Sequence, residues 1–123
     1  MIKITSHLVK RSDCNSYDTL FGGTMMAWVD EAGGIFAREY TNEPRMVTVL
    51  FEKFEFHKAV HVSDIVNFFA DNPRIGETSL TFDVIVKKQN GDQVVSTTCV
   101  FVCVDEDMKR TKHLLKRDPN YET

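Results

Sequence analysis

The chain has 123 residues, 42% of them hydrophobic and 27% charged, and a formal net charge of −3. That is enough for one domain around a single core, and the slight acidity gives no electrostatic footprint for nucleic acid and no run long enough to span a membrane. The first residues alternate, as Met1-Ile-Lys-Ile-Thr-Ser-His-Leu-Val-Lys10, without the apolar core of a signal peptide, so a cytoplasmic protein is expected.

In chain order, the alternation over 1–11 predicts a strand, and 12–20, rich in Ser, Asp, Asn, Tyr and Thr, predicts a loop with several potential helix caps. A helix is expected from about Gly22 to Tyr40, stopped by Asn42-Glu-Pro44. Met46–Phe51 reads as an apolar strand that bends near Glu52-Lys53 before Phe54-Glu-Phe56, and Val60 to Ala70 as a further extended stretch ending at Asp71-Asn-Pro73. Leu80, Phe82, Val84 and Val86 form one face of an alternating strand, Asn90-Gly91 signals a two-residue hairpin, and Val94 to Val104 completes it. The remainder is charged and weakly periodic. The expected organisation is a single domain over 1–107 with a charged C-terminal tail over 108–123, either flexible or ordered against a ligand or neighbour.

One long apolar helix followed by antiparallel strands defines an α+β domain. The helix is apolar over most of its circumference, so a flat sheet on one side would leave too much of it exposed, and a curved sheet wrapped around it is expected. Asp30 shares its helical arc with Gly23, Met26, Ala27, Gly33, Gly34 and Ala37, whereas Thr24, Glu31 and Arg38 lie on a different arc. Each glycine inside a helix costs roughly 0.5–1 kcal/mol against alanine, and close backbone approach is the usual reason to keep one. A carboxylate on such an arc is a candidate site, and a second copy packed on that side would make the protein a dimer at least.

Cys14, Cys99 and Cys103 lack paired spacing and read as reduced bystander thiols, and His7, His57, His61 and His113 lack zinc-ligand spacing.

The ordered series from Asn15 through Leu20-Phe-Gly22-Gly23-Thr-Met-Met to Asp30 and Gly33-Gly34 resembles the hotdog-fold acyl-CoA thioesterases, in particular the small bacterial acyl-CoA hydrolases. Arg45-Met-Val-Thr48-Val, Phe56-His-Lys58-Ala-Val60-His-Val-Ser-Asp64, Thr78-Ser79, Val84-Ile-Val86-Lys87-Lys88, Phe101-Val-Cys-Val104 and Lys109-Arg110-Thr-Lys112 extend the resemblance over most of the chain. It implies a hotdog fold and hydrolysis of acyl-CoA. Asp30 would be general base or nucleophile, Asn15 would orient water or thioester from the partner subunit, and the backbone N–H groups of Gly22 and Gly23 would polarise the thioester carbonyl. Thr48, Ser79, Lys87, Lys88, Arg110 and Lys112 are the candidates for contact with the thioester region and the coenzyme A phosphates, with Lys58 behind them. No metal or other cofactor is implied, coenzyme A being part of the substrate. A homo-oligomer is implied, commonly a trimer of dimers in this subgroup. The alternatives are a hotdog hydratase or dehydratase, which calls for a histidine beside an acid, and a non-catalytic acyl-CoA-binding module.

Overall fold

The computed structural model describes residues 1–113. The elements run β1 (Ile2–Leu8), a 3-10 turn (Arg11–Asp13), α1 (Gly22–Thr41), β2 (Met46–Phe56), β3 (Ile65–Ile75), β4 (Ser79–Lys88) and β5 (Gln93–Cys103). All strand pairs are antiparallel in one five-stranded sheet of order β1-β3-β4-β5-β2, so β1 and β2 are its edges. The sheet holds the single long helix against its inner face, which is the hotdog arrangement. Among the described residues no helix is long and apolar enough to cross a membrane.

The helix buries one stripe, Met25, Val29, Ala32, Gly33, Phe36 and Ala37, at the three- and four-residue spacing of a helix seated on a core. Leu80, Phe82, Val84 and Val86 of β4 are each 0% exposed and face it, as their alternation predicts. At Gly33 the two layers come close together. A Cβ there would stand 3.0 Å from Phe101 Cε1 and 3.1 Å from its Cζ. The Phe101 ring is buried and stacks on Phe82 at 5.6 Å, so it has no room to retreat. Asn42 ends the helix in the left-handed region at φ 55.

Several elements depart from the pattern reading. The first strand ends at Leu8, because the Asp13 carboxylate accepts the Lys10 backbone N–H (2.8 Å) and turns the chain. The third strand lies five residues beyond its expected start. Over 60–64 the backbone is spent elsewhere: Leu20 N–H donates to the Val60 carbonyl (2.7 Å), Asp64 N–H to that of His61 (3.1 Å), and Ser63 has φ 73. At its far end the strand continues through Pro73, since a bulge between Asp71 and Arg74, with Asn72 at φ 52, takes up the residue that has no N–H to offer. The bend expected near Glu52-Lys53 is a bulge with Lys53 at φ 49. The hairpin uses a three-residue loop instead of a two-residue turn. Gly91 N–H donates to the Lys88 carbonyl and Lys88 N–H to that of Asp92, both at 2.9 Å, and Gly91 takes φ 92, which glycine adopts freely.

After β5 the chain folds back. Thr111 N–H donates to the Cys103 carbonyl (3.0 Å), and His113 is buried with Nε2 3.1 Å from the accepting Ser79 carbonyl oxygen. The rest of the segment expected as a charged tail, 114–123, lies outside the described residues.

Gly33→Ala tests the close approach. Helix propensity alone would gain about 1 kcal/mol, but forcing a methyl against an immobile ring costs about 1–3 kcal/mol. Urea denaturation is expected to give a lower midpoint for the variant than for the parent chain.

Candidate active site

Asp30 lies one residue beyond Val29 in the buried stripe and is therefore carried to the edge of the sheet's cover. In the single chain its arc is divided: Gly33, Gly34 and Ala37 are buried, whereas Gly23, Met26, Ala27 and Asp30 itself are exposed. The Thr48 hydroxyl donates to Asp30 Oδ1 at 2.5 Å. Thr48 can reach it because it pairs in register with the inward-facing Phe101, and because the ladder slips immediately afterwards, between Thr48 and Leu50. Bulges beside sites commonly re-aim a side chain in this way. The other carboxylate oxygen has no partner among the described residues. Asp30 and Thr48 line a cleft of about 370 Å³, with Gly34, Arg38 and Phe101 among its walls.

The helix start offers donors. Phe21 is its N-cap in extended conformation, and among the described residues no side chain caps the first turn, so the N–H groups of Gly22 and Gly23 are uncapped there. A second cavity, of about 260 Å³, opens beside this turn between Leu20, Met25, Phe56, Val60 and Val95, with His57 and Lys58 as its basic members. Asn15 sits in the preceding loop. Its side-chain carbonyl accepts the N–H groups of Tyr17 (2.9 Å) and Thr19 (3.2 Å) and the Thr19 hydroxyl (3.1 Å), an Asx-type turn that leaves its amide hydrogens available. Gly22 and Asp30 are eight positions apart, roughly 12 Å along the axis. One chain therefore pairs Asp30 with Thr48 and keeps the Gly22–Gly23 turn apart from them.

The remaining candidates are also split. Ser79 opens β4 and Lys87 and Lys88 close it, roughly 27 Å away along the strand. Lys88 is held by Asp64 at 3.5 Å, and Lys87 stands 5.8 Å over the Phe69 ring. Lys112 pairs with Glu77 at 3.7 Å, Lys58 with Asp92 at 3.3 Å, and Arg110 is exposed beside Val104. Burial pushes the Asp64 carboxyl up, but the His61 N–H, the Gln89 amide and Lys88 together outweigh it and leave its pKa below the ordinary 3.8. Cys99 is chemically quiet: burial first, then the Asp30 and Asp83 carboxylates, push its thiol up to about 12.

His7 and His57 have neighbours other than Asp30. His7 stacks on Trp28 at 4.4 Å with Nε2 3.7 Å from Glu31, and His57 Nε2 lies 2.8 Å from Ser96 Oγ. Among the described residues no group of three or more His, Cys, Asp or Glu side chains could hold a metal. Pattern reading misses Arg38. The helical wheel puts it on another arc, yet its long side chain folds back over Gly34, where a Cβ would stand 2.9 Å from Nη1, and so enters the Asp30 cleft. A glycine one turn before an arginine is the only signal for this in the sequence.

A single long helix held against one five-stranded antiparallel sheet is the hotdog architecture, and comparison with known proteins agrees. The model of the thioesterase superfamily matches residues 17–95. The chain is 35% identical over 107 residues to an uncharacterised acyl-CoA thioester hydrolase of Buchnera aphidicola, covering 80% of this chain and 78% of that one. It is 30% identical over 110 residues to the acyl-CoA thioester hydrolase YciA of Escherichia coli, covering 83% of each. The crystal structure of a hexameric hotdog-fold thioesterase of Campylobacter jejuni superimposes with a TM-score of 0.81 at 28% identity, covering 98% of both chains. The chain belongs to the hotdog-fold acyl-CoA thioesterases of this superfamily, and is an enzyme of the thioester hydrolase class.

The lowered Asp64 pKa has a sign. Its stabilising contribution is complete above the ordinary carboxylate value and is lost as pH falls through the lower folded value. Asp64→Asn should therefore lose less thermal stability than the parent between about pH 5 and pH 2, followed by circular dichroism.

Proposed function

We propose that the chain hydrolyses acyl-CoA thioesters to coenzyme A and a carboxylate, with Asp30 as the acid-base or nucleophilic group. The observation that carries this is the Asp30 carboxylate itself: one oxygen is fixed by Thr48 and the other faces an open cleft. In the base mechanism Asp30 takes a proton from water as it attacks the thioester carbon. The carbonyl oxygen becomes an oxyanion and is met by the N–H groups at a helix start, Gly22 and Gly23. Collapse expels the coenzyme A thiolate, which recovers the proton. In the nucleophilic variant the carboxylate attacks first and water then cleaves the mixed anhydride. Donors at a helix N-terminus suit a developing oxyanion, and removing one such donor typically costs about 2.7–4 kcal/mol.

The 12 Å or so between Gly22 and Asp30 is too far for one thioester to touch both, so we assign the two groups to different copies. Two helices packed antiparallel on their exposed Met26–Ala27 arcs would set the Gly-Gly turn and Asn15 of one copy beside Asp30 of the other. The β2 edge, which exposes Val49 and Leu50, lies next to this arc and would pair with its counterpart. A dimer is thus the minimal working unit, and the hexameric Campylobacter relative favours a trimer of dimers.

The apolar cavity at the helix start would take an apolar part of the substrate. For the phosphates we favour Lys87 and Arg110, with Ser79 near the latter, over Lys88 and Lys112, whose charges Asp64 and Glu77 already meet. Coenzyme A enters as substrate.

Asp30→Asn should lower kcat for thiol release from a panel of acyl-CoA esters by about 10²–10⁴-fold while the protein remains folded and oligomeric. A rate equal to the parent's on every ester would overturn the assignment. Thr48→Val removes a hydrogen bond to a charged group, and about 10- to 100-fold is expected from kcat, with a smaller change in KM.

A further inference from the structure

Arg38 is not explained by the chemistry above. It closes the Asp30 cleft at the end away from the helix start, and its Nε–H donates to the Pro44 carbonyl at 3.1 Å, which fixes the plane of the guanidinium. Among the described residues its two terminal nitrogens form no ion pair or hydrogen bond, although Asp30 and Glu31 line the same cleft. Glu31 instead turns toward His7, 3.7 Å away. The missing Cβ of Gly34 leaves the space in which the guanidinium lies. An arginine in the last turn also complements the helix dipole, but that role needs neither the glycine nor an orientation into the cleft.

Resting on the hydrolase reading, we infer that Arg38 is a specificity-determining residue that binds a carboxylate carried on the acyl group of the substrate. A guanidinium anchored through Nε presents the remaining donors as a fork, the geometry that grips a carboxylate through both oxygens. Its place over Gly34 is one turn from Asp30, roughly 6 Å along the axis. That is the reach of a short dicarboxylic acyl chain whose thioester end lies at Asp30. The coenzyme A phosphates are separated from the thioester by the whole pantetheine arm, whereas Arg38 is about one helical turn from Asp30. The charge order along the cleft also sets the direction of binding, because the two carboxylates repel an anionic tail from every position except the Arg38 end.

The test compares glutaryl-CoA with pentanoyl-CoA, equal in carbon number and differing in the terminal carboxylate. The parent should hydrolyse both, and in Arg38→Met the ratio of kcat/KM for glutaryl-CoA to that for pentanoyl-CoA should fall by about 10- to 100-fold, with part of it recovered in Arg38→Lys. A ratio that does not move overturns the inference. So does an equal loss on both esters, which a structural role or a contact with the coenzyme A moiety would give. If the parent releases thiol from pentanoyl-CoA alone, the carboxylate site fails while the hydrolase reading stands. If it releases thiol from neither, the hydrolase reading fails, and calorimetry decides Arg38. Tighter binding of glutaryl-CoA than of pentanoyl-CoA, lost in Arg38→Met, supports the site, and equal binding overturns it.

Discussion

Gly33 against the Phe101 ring sets the geometry on which the site is built. The absence of one methyl group lets α1 settle directly on β5, and β5 passes that position to its neighbours through its ladder. Phe101 pairs with Thr48 on one side and with Leu80 on the other. The ring that supports the helix therefore stands between a core leucine and the threonine that orients the acid. Raising the helix even slightly would open the core, and the same movement would draw Asp30 away from the Thr48 hydroxyl. Packing and chemistry thus share one contact, and protein interiors are too dense for the two to be adjusted separately.

Much of this is legible in the sequence because it is periodic. The helix, the alternating face from Leu80 to Val86 and the bend after Glu52 each follow from a local pattern of apolar spacing. The third strand is displaced in reality because a loop remote in sequence competes for the same backbone, Leu20 bonding to Val60, and no local pattern reports a distant partner. Pro73 misleads for the opposite reason: it normally ends a strand, but a bulge at Asn72 accommodates it. Asp30 stands out as a carboxylate on an arc of glycines and alanines. Arg38 is invisible on the same wheel, since a wheel records where Cα points and not where a long, flexible side chain ends.

The site is divided by the helix that bears it. In the mechanism proposed above, the donors at the helix start and the acid two turns on act on one bond, although a rigid rod separates them within one chain. The cations are divided likewise between the two ends of β4. On that proposal a single chain carries two half-sites, and two-fold symmetry is the simplest operation that makes each half complete the other.

The uncovered β2 edge has a consequence for the life of the chain before assembly. An eleven-residue strand with Val49 and Leu50 outward and, among the described residues, a free row of backbone groups is a template for any other extended segment. Glu52, Lys53 and Glu55 place charge and a bulge along its second half, and only its first half stays adhesive. Newly made chains at low concentration thus spend their most vulnerable interval with that half exposed, where encounter with a second copy and capture into aggregates compete. The yield of assembled protein then depends on chain concentration as well as on the stability of the fold.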